Sequence, residues 1–320
     1  MKLMFRLFWL FVLFSGCAGT TLKPQEGFVQ VPGGPVWYRV IGSGEATPVL
    51  MVHGGPGIRS CYFERLAILL GKNRPVILYD QLGTGRSGRP MDSSLWTVDR
   101  FVEELATVRD RLGLSRVYLL GHSWGTALVA EYMIAKHPEG IEAAIFVSPY
   151  FSSRQWAEDA EILRARLPEA VQQTLLRHER AGTTQSPEYQ NAVEVYHDRF
   201  LIRSKPSPVE SCEEAPRNLE IYHRMWGSTD FRSDGTLQNY DITALLPELK
   251  LPVLFVTGRY DTARPETAAK YQAMIPAAAL EVLENSAHLG PLEEPMRMGD
   301  ILEAFFGKVE NPVANEASGN

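Results

Sequence analysis

The sequence carries a serine between two glycines, in the motif G-H-S-W-G at 121–125. An apolar run at 117–120 precedes the motif and an amphipathic run at 126–137 follows it. In a strand, sharp turn and helix, G-x-S-x-G forms a nucleophile elbow, because the glycines let neighbouring backbone pass close to a strained serine. The pattern predicts that Ser123 is a nucleophile and that the backbone N–H of Trp124 helps to hold an oxyanion.

A serine hydroxyl needs a base, and the base needs a carboxylate that orients it. Asp261 follows the buried strand predicted at 251–258, and His288 lies in a loop after the apolar segment at 279–283. The order serine, aspartate, histidine is that of α/β hydrolases, so we predict a Ser123–His288–Asp261 triad. A helix-capping aspartate and an ordinary loop histidine are the alternatives, but they do not explain why all three residues coincide.

A glycine-rich segment, H-G-G-P-G at 53–57, follows the apolar run at 49–52. Glycine-rich backbone after an early strand is where this fold takes its second oxyanion donor. We predict that the N–H of Gly55 supplies it. His53 is expected to fix the loop by hydrogen bonding, and His122 to point away from the nucleophile.

Apolar runs alternate with amphipathic runs around these motifs. Strands are predicted at 36–41, 48–52, 76–79, 117–120, 143–147, 251–258 and 279–283. Helical runs lie between the strands, so we predict an α/β-hydrolase fold with a mostly parallel sheet and helices on both faces.

Composition divides the chain further. Charge rises and helical periodicity dominates over 151–240, which we interpret as a helical cap inserted into a core of residues 18–150 and 241–307. Residues 20–30 are interpreted as a spacer before the first strands, and 308–320 as a polar tail.

Five motifs form a recognisable set: H-G-G-P-G at 53–57, D-Q-L-G-T-G-R-S at 80–87, G-H-S-W-G at 121–125, G-R-Y-D at 258–261 and S-A-H at 286–288. As a set they resemble the proline iminopeptidase (prolyl aminopeptidase) family of α/β hydrolases, and the similarity runs from about 29 to 306. Segments 187–190 and 201–204 look like the helical cap of the tricorn-interacting aminopeptidases, and 225–231 and 239–243 look like the return from that cap. The resemblance implies the hydrolase fold, the triad and cleavage of N-terminal residues from small peptides.

The sequence departs from the family where the substrate's free α-amine is held. Family aminopeptidases use glutamates there, and this chain has Asp230 at one position and Thr262 at the other. A buried ammonium group needs a well-placed anion, so the affinity for free N-termini is expected to drop or shift. Leu82 also stands where the family often has arginine. Aromatic residues of the predicted cap are interpreted mostly as cap core, and Trp226 is predicted to line the pocket.

Three functions remain open from the sequence. The first is a lipid-anchored serine hydrolase that cleaves small amides or N-terminal residues of short peptides. The second is an esterase or lactonase that uses the same triad, which the missing glutamate favours. The third is a catalytically silent binding lipoprotein on the same fold, and the intact triad argues against it.

The composition fits one large core with an insertion, since the chain has 320 residues of which 45% are hydrophobic. The net charge is −6 and no basic run occurs, so nothing indicates a nucleic-acid partner. The 7 histidines form no H-E-x-x-H motif or Cys/His cluster, and the sequence contains no G-x-G-x-x-G or P-loop. We therefore predict no metal and no cofactor.

Residues 1–17 have the pattern of a bacterial lipoprotein signal peptide. Two basic residues precede an apolar run at 7–14 that is too short to span a bilayer, and S-G-C-A follows at 15–18. We predict that Cys17 is acylated and tethers the exported protein to a bacterial membrane, on the periplasmic or cell-surface side. An ordinary cleaved signal peptide and a buried N-terminal helix are the alternatives.

Two further cysteines could pair in an exported protein. Cys61 lies just after the glycine-rich loop, and Cys212 lies in the predicted cap. Because nothing in the sequence brings these segments together, we interpret them as two separate thiols.

Overall fold

The computed structural model describes residues 22–204, 212 and 217–312. The predicted signal peptide, with Cys17, lies outside the described residues. Within them, eight strands form one sheet: β1 (Gln25–Val31), β2 (Gly34–Ile41), β3 (Val49–Val52), β4 (Val76–Tyr79), β5 (Val117–His122), β6 (Ile141–Val147), β7 (Val253–Gly258) and β8 (Ala278–Leu283). Their order across the sheet is β1-β2-β4-β3-β5-β6-β7-β8.

The sheet is mostly parallel, as predicted. Strand β2 pairs antiparallel with both β1 and β4, and the pairs from β4 through β8 are parallel. Every residue of β3, β4, β5 and β7 is buried, which explains why these strands are continuous apolar runs in the sequence.

Strand β1 corrects the sequence interpretation, because most of it falls in the segment expected to be a spacer. Only Val29 and Val31 of this strand are buried. An edge strand with so little buried surface has no apolar run to reveal it.

The described α-helices are α1 (Glu64–Leu70), α2 (Val98–Arg111), α3 (Trp124–Lys136), α4 (Ser153–Arg164), α5 (Glu169–Ala181), α6 (Pro187–Phe200), α7 (Leu219–Met225), α8 (Pro265–Met274), α9 (Gly290–Glu293) and α10 (Pro295–Glu310). Helix α10 continues to Glu310, past the predicted start of the tail at 308, and its last residue forms an ion pair with Arg74 at 2.7 Å. No helix among these described ranges combines the length and apolarity that a bilayer-spanning segment requires.

Successive residues of the central strand β5 face opposite sides of the sheet. Leu119 belongs to a buried cluster with Phe101 of α2 and Ala127 of α3. Leu120 belongs to a second cluster with residues of α1 and α10, such as Phe306. The sheet is therefore covered on both faces, with loops at the carboxyl ends of its strands.

Helices α4 to α7 lie between β6 and β7, in the segment predicted to be a helical cap. Part of this segment has an apolar cluster of its own, in which Leu163, Leu175 and Tyr196 are buried. Side-chain caps set several of the helix starts: Ser152 accepts a hydrogen bond from the N–H of residue 155, and Ser186 accepts one from that of residue 189.

Cys61 and Cys212 form a disulfide with a Cα–Cα distance of 5.3 Å, so the interpretation as two separate thiols is wrong. The chain that returns from the cap crosses the glycine-rich loop after β3, where the N–H of Asn218 donates to the carbonyl of Gly57 at 2.8 Å. This crossing brings together two cysteines that are 151 positions apart.

Candidate active site

Ser123 lies in the turn between β5 and α3, with φ of 52° and ψ of −122°. A positive φ is strained for a residue with a side chain, and such strain is typical of functional turns. The flanking glycines make room for it. A Cβ on Gly121 would lie 2.4 Å from the carbonyl oxygen of Gly125, and a Cβ on Gly125 would lie 2.1 Å from that of Val52. The predicted nucleophile elbow is therefore present as a backbone conformation.

Asp261 and His288 are in direct contact: Oδ1 of the aspartate lies 2.7 Å from Nδ1 of the histidine. The second carboxylate oxygen accepts hydrogen bonds from the hydroxyls of Ser148 at 2.6 Å and Thr257 at 3.0 Å. The N–H of Ala263 donates to Oδ1 at 2.7 Å. A carboxylate held by this many donors keeps one orientation and fixes the imidazole in turn.

Burial alone would raise the pKa of Asp261, which is 1% exposed. The attraction of His288 and the hydrogen bonds from His288, Ser148 and Ala263 outweigh burial, so the pKa lies below its usual range. The group is therefore ionised at neutral pH. Because Nδ1 of His288 faces this carboxylate, the other ring nitrogen is left for proton transfer.

Ser123 belongs to the same corner of the sheet. Its chain neighbour His122 has its ring centroid 4.9 Å from that of His288. The N–H of Ser123 donates to the carbonyl of Val147 on the neighbouring strand at 2.9 Å, one residue before Ser148. The structure thus gathers the three predicted triad residues at the carboxyl ends of β5, β7 and β8.

The glycine-rich loop after β3 approaches the nucleophile closely, since a Cβ on Gly54 would lie 3.1 Å from Cβ of Ser123. Gly55 has φ of +130°, a conformation that glycine alone adopts readily, and its bond to Pro56 is cis. The predicted oxyanion donor therefore lies one residue from this close approach.

His53 fixes this loop, as expected. Its Nε2 accepts the N–H of Gln81 at 2.9 Å, and its Nδ1 donates to the carbonyl of Gly54 at 2.8 Å. The amide of Gln81 also donates to the carbonyl of His53 at 2.8 Å and accepts from the indole of Trp124 at 3.1 Å. Burial lowers the pKa of His53 against the opposing effect of Asp80, so His53 stays neutral and suited to this bracing role.

Asp230, the predicted partner of a substrate amine, is engaged by two side chains of the cap. Its Oδ2 lies 2.8 Å from Nε2 of His197, and its Oδ1 accepts from the hydroxyl of Tyr222 at 2.5 Å. The side chain nevertheless remains 36% exposed. Burial acts to raise its pKa, but His197 and Tyr222 outweigh it and the pKa falls below the usual value. Asp230 is therefore an anion that a second cation can still approach.

Trp156 connects this acidic residue to the catalytic corner. Its indole N–H donates to the carbonyl of Asp230 at 3.2 Å, and its ring centroid lies 5.6 Å from that of His288. The predicted pocket residue Trp226 packs edge-on against Trp156, with centroids 5.7 Å apart. Trp156 is thus an aromatic residue of the cap that contacts His288, and no sequence pattern distinguished it from the other aromatic residues there.

Thr262 is the residue expected to stand in place of the second glutamate. Its hydroxyl lies 3.0 Å from Nδ1 of His288, and its N–H donates to the carbonyl of Phe200 at the end of α6 at 3.2 Å. The residue is buried and contacts the Asp261–His288 pair directly.

Sequence reasoning did not identify Ser148 and Thr257, because a hydroxyl at the end of a buried strand is not a motif. The only signal for them in the sequence was their place at a carboxyl end of the sheet.

The parallel sheet with a nucleophile elbow, an acid and a histidine at its carboxyl ends defines the class as α/β hydrolases. The family described as alpha/beta hydrolase fold matches residues 47–295. A proline iminopeptidase of Heyndrickxia coagulans is 45% identical over 288 residues, which is 89% of this chain and 99% of that protein. One of Clostridium botulinum is 32% identical over 291 residues, covering 90% of this chain and 99% of that protein. The chain belongs to the proline iminopeptidase family.

Two solved structures agree in fold. The crystal structure of VinJ superimposes with a TM-score of 0.82 at 32% identity, covering 90% of this chain and 100% of that one. The crystal structure of a proline iminopeptidase from Mycobacterium smegmatis gives a TM-score of 0.81 at 31% identity, covering 89% and 98% of the two chains. The resemblance noted from five motifs thus extends over nearly the whole fold.

Proposed function

We propose that this protein is a serine aminopeptidase of the proline iminopeptidase type, which releases the N-terminal residue of short peptides or cleaves small amides. The observation that carries the proposal is the 2.7 Å contact between Asp261 and His288 beside a strained Ser123, in a chain that is 45% identical to a proline iminopeptidase.

In the proposed reaction, the hydroxyl of Ser123 attacks the substrate carbonyl and His288 takes its proton. The N–H groups of Gly55 and Trp124 stabilise the oxyanion that forms. The histidine then delivers the proton to the leaving amine, and water hydrolyses the acyl-enzyme by the same steps. Asp261 keeps the proton of the neutral histidine on Nδ1 and stabilises the imidazolium that forms.

Asp230 is the proposed anchor for the free α-amine of the substrate. Its carboxylate is ionised and partly exposed, and the backbone carbonyl of the same residue accepts from Trp156, whose ring lies beside that of His288. A charge-assisted hydrogen bond to an ammonium group would select substrates with a free N-terminus. Trp156 and Trp226 supply apolar surface beside it.

The second candidate is an esterase or lactonase with the same triad. Two observations favour it: position 262 holds a threonine in place of a second carboxylate, and both oxygens of Asp230 already have partners within the protein. Such an enzyme would prefer substrates without an amine, because it would gain little from an ammonium group.

Parallel kinetics on three substrates separate the candidates. We expect the highest kcat/KM on proline naphthylamide, a much lower value on its N-acetylated counterpart, and modest turnover of p-nitrophenyl acetate. Equal or better turnover of the N-acetylated compound and the ester would overturn the aminopeptidase proposal and support the esterase. A fluorophosphonate probe that fails to label Ser123 would exclude both and leave a silent binding protein.

We further propose that the protein is exported and anchored through an acylated Cys17. The Cys61–Cys212 disulfide supports export, because disulfides persist in oxidising compartments and are rare in the cytosol. Mass spectrometry of protein from native membranes should find acyl groups on Cys17, and Cys17→Ser should prevent anchoring. Deleting residues 1–17 should leave a soluble, active enzyme. A Cys17 without acyl mass would refute the anchor.

A further inference from the structure

Two buried side chains outside the predicted triad connect the glycine-rich loop at 53–57, here called the oxyanion loop, to the catalytic histidine. The N–H of Gly54 donates to the hydroxyl of Tyr62 at 2.8 Å. That hydroxyl lies 2.8 Å from Nδ1 of His122, and Nε2 of the same ring lies 2.8 Å from the carbonyl oxygen of His288. Three hydrogen bonds therefore lead without interruption from the residue before Gly55 to the backbone of His288.

The two end groups determine which atom is the donor in each of these three hydrogen bonds. The carbonyl of His288 can only accept, so Nε2 of His122 carries the hydrogen. The N–H of Gly54 can only donate, so the phenol oxygen of Tyr62 accepts there. The phenol hydrogen must then go to Nδ1 of His122, which is the acceptor nitrogen of a neutral imidazole.

The imidazole of His122 and the phenol of Tyr62 both stay neutral, so only one arrangement of their hydrogens is possible. Burial, together with the nearby His288, lowers the pKa of His122 to about 3. Burial also raises the pKa of Tyr62 well above its usual value. At neutral pH one tautomer and one hydroxyl orientation satisfy all four groups.

The surrounding structure holds both rings in place. The ring of Tyr62 lies 4.5 Å from that of Phe63, and the ring of His122 meets that of Phe63 edge-on at 6.1 Å. The short 3₁₀ turn Ser60–Phe63 is fixed to Asp80, which accepts from both the N–H and the hydroxyl of Ser60 at 2.8 Å. A rigid turn therefore presents the phenol to the loop.

We propose that Tyr62 and His122 are positioning residues that hold the oxyanion loop and the loop of His288 at a fixed separation around Ser123. The inference rests on the proposed roles of Gly55 and His288. An oxyanion donor acts within about 2.7–3.1 Å of the developing charge, and a misplacement of about 1 Å can cost roughly 100-fold in rate. The link thus acts on the chemical step and not on substrate recognition.

Two conservative variants cut the link at its two ends. Tyr62→Phe keeps the ring and removes the hydroxyl that binds Gly54. His122→Asn keeps an acceptor near the position of Nδ1 and removes the donor to His288. Each variant should lower the rate of Ser123 phosphonylation by a fluorophosphonate, and kcat on p-nitrophenyl acetate, by roughly 10- to 100-fold. KM should change less than about threefold, because neither side chain is proposed to contact substrate.

The double variant should lose no more than about threefold beyond the more impaired single variant, since either cut interrupts the same link. The matched control is Tyr118→Phe, which removes the hydroxyl of a buried tyrosine on the same face of the sheet, near the opposite end of β5 from His122, where it donates to Glu310 at 3.2 Å. The labelling rate of Tyr118→Phe should equal that of the wild type, even if its thermal stability falls as much as that of Tyr62→Phe or His122→Asn.

Labelling rates of both single variants within twofold of the wild type would overturn the inference, as would a rise in KM at constant kcat or multiplied losses in the double variant. A wild type that is not labelled at Ser123 would instead refute the proposed function. The two failures are therefore distinguishable.

Discussion

Removing the Cys61–Cys212 disulfide should lower the free energy of unfolding by about 3–5 kcal/mol. The bond joins positions separated by 151 residues. In the chain-entropy treatment, a closed loop of this length restricts the unfolded chain by about 5 kcal/mol at 25 °C, and measured values are usually somewhat smaller. Because unfolding a chain of this size changes the entropy by roughly 0.6 kcal/mol per kelvin, the midpoint of thermal unfolding should fall by about 5–8 °C.

Activity below that midpoint should survive, since the return from the cap keeps other contacts with the oxyanion loop and with the segment at 80–87. The N–H of Asn218 donates to Gly57 at 2.8 Å, and its side-chain amide donates to Gly83 at 3.0 Å. Ser60 remains bound to Asp80 without the disulfide. We therefore expect turnover at 25 °C within about threefold of the wild type.

The assay compares the wild type, the Cys61→Ser/Cys212→Ser variant and the wild type with reductant, all without residues 1–17. Guanidinium and thermal unfolding should give the same loss for the variant and for the reduced protein, and reductant should not affect the variant. The denatured, unreduced wild type should show no free thiol. Two free thiols would refute the disulfide, and a thermal shift below about 1 °C with no free thiol would refute the entropy argument.

Three further predictions follow from the site. Ser123→Ala and His288→Ala should each cut kcat by roughly a million-fold, and the double variant should lose little more, which steady-state kinetics will show; additive losses would mean that the two do not act together. Asp230→Asn should lower kcat/KM for free-amine substrates about 10- to 100-fold and spare their N-acetylated counterparts, and an unchanged ratio would exclude an amine anchor there. Burial lowers the pKa of His122 from 6.5 to about 3 in the folded protein, so the free energy of unfolding falls as the pH drops below 6.5. Between pH 7 and pH 5, the free energy of unfolding of His122→Gln, measured with denaturant, should fall by about 2 kcal/mol less than that of the wild type. Equal losses in the two proteins would contradict this.

The catalytic corner was predictable because its backbone restricts which residues can stand there. Gly125 has room for no side chain, since a Cβ would lie 2.1 Å from the carbonyl oxygen of Val52. Because such positions admit only certain residue types, a sequence motif can identify them. The buried strands were equally readable: β4 occupies Val76–Tyr79, the range that its apolar run predicted.

The missed features depend on contacts that close only in three dimensions. Strand β1 has few buried residues, and the pairing of Cys61 with Cys212 depends on where the chain returns from the cap. No sequence pattern identified Ser148 either, although its hydroxyl donates to Asp261 and also lies 3.0 Å from the carbonyl oxygen of His288. A single hydroxyl has many structural uses, so its type alone does not indicate a role.

Substrate preference is the property least predictable from the sequence. It depends on how strongly the carboxylate of Asp230 interacts with His197 and how strongly it interacts with a substrate ammonium group. Burial alone would lower the pKa of His197, but Asp230 and Glu194 raise it, so His197 gains a proton more readily. A protonated His197 neutralises Asp230 from within the protein, and a substrate ammonium then gains less from the same anion. Two carboxylate oxygens offer about four acceptor directions, of which His197 and Tyr222 use two, so geometry leaves room for a third donor. The shorter aspartate therefore does not by itself remove amine recognition; its weight is set by the proton on His197, and the ratio of free-amine to N-blocked turnover is the quantity that measures it.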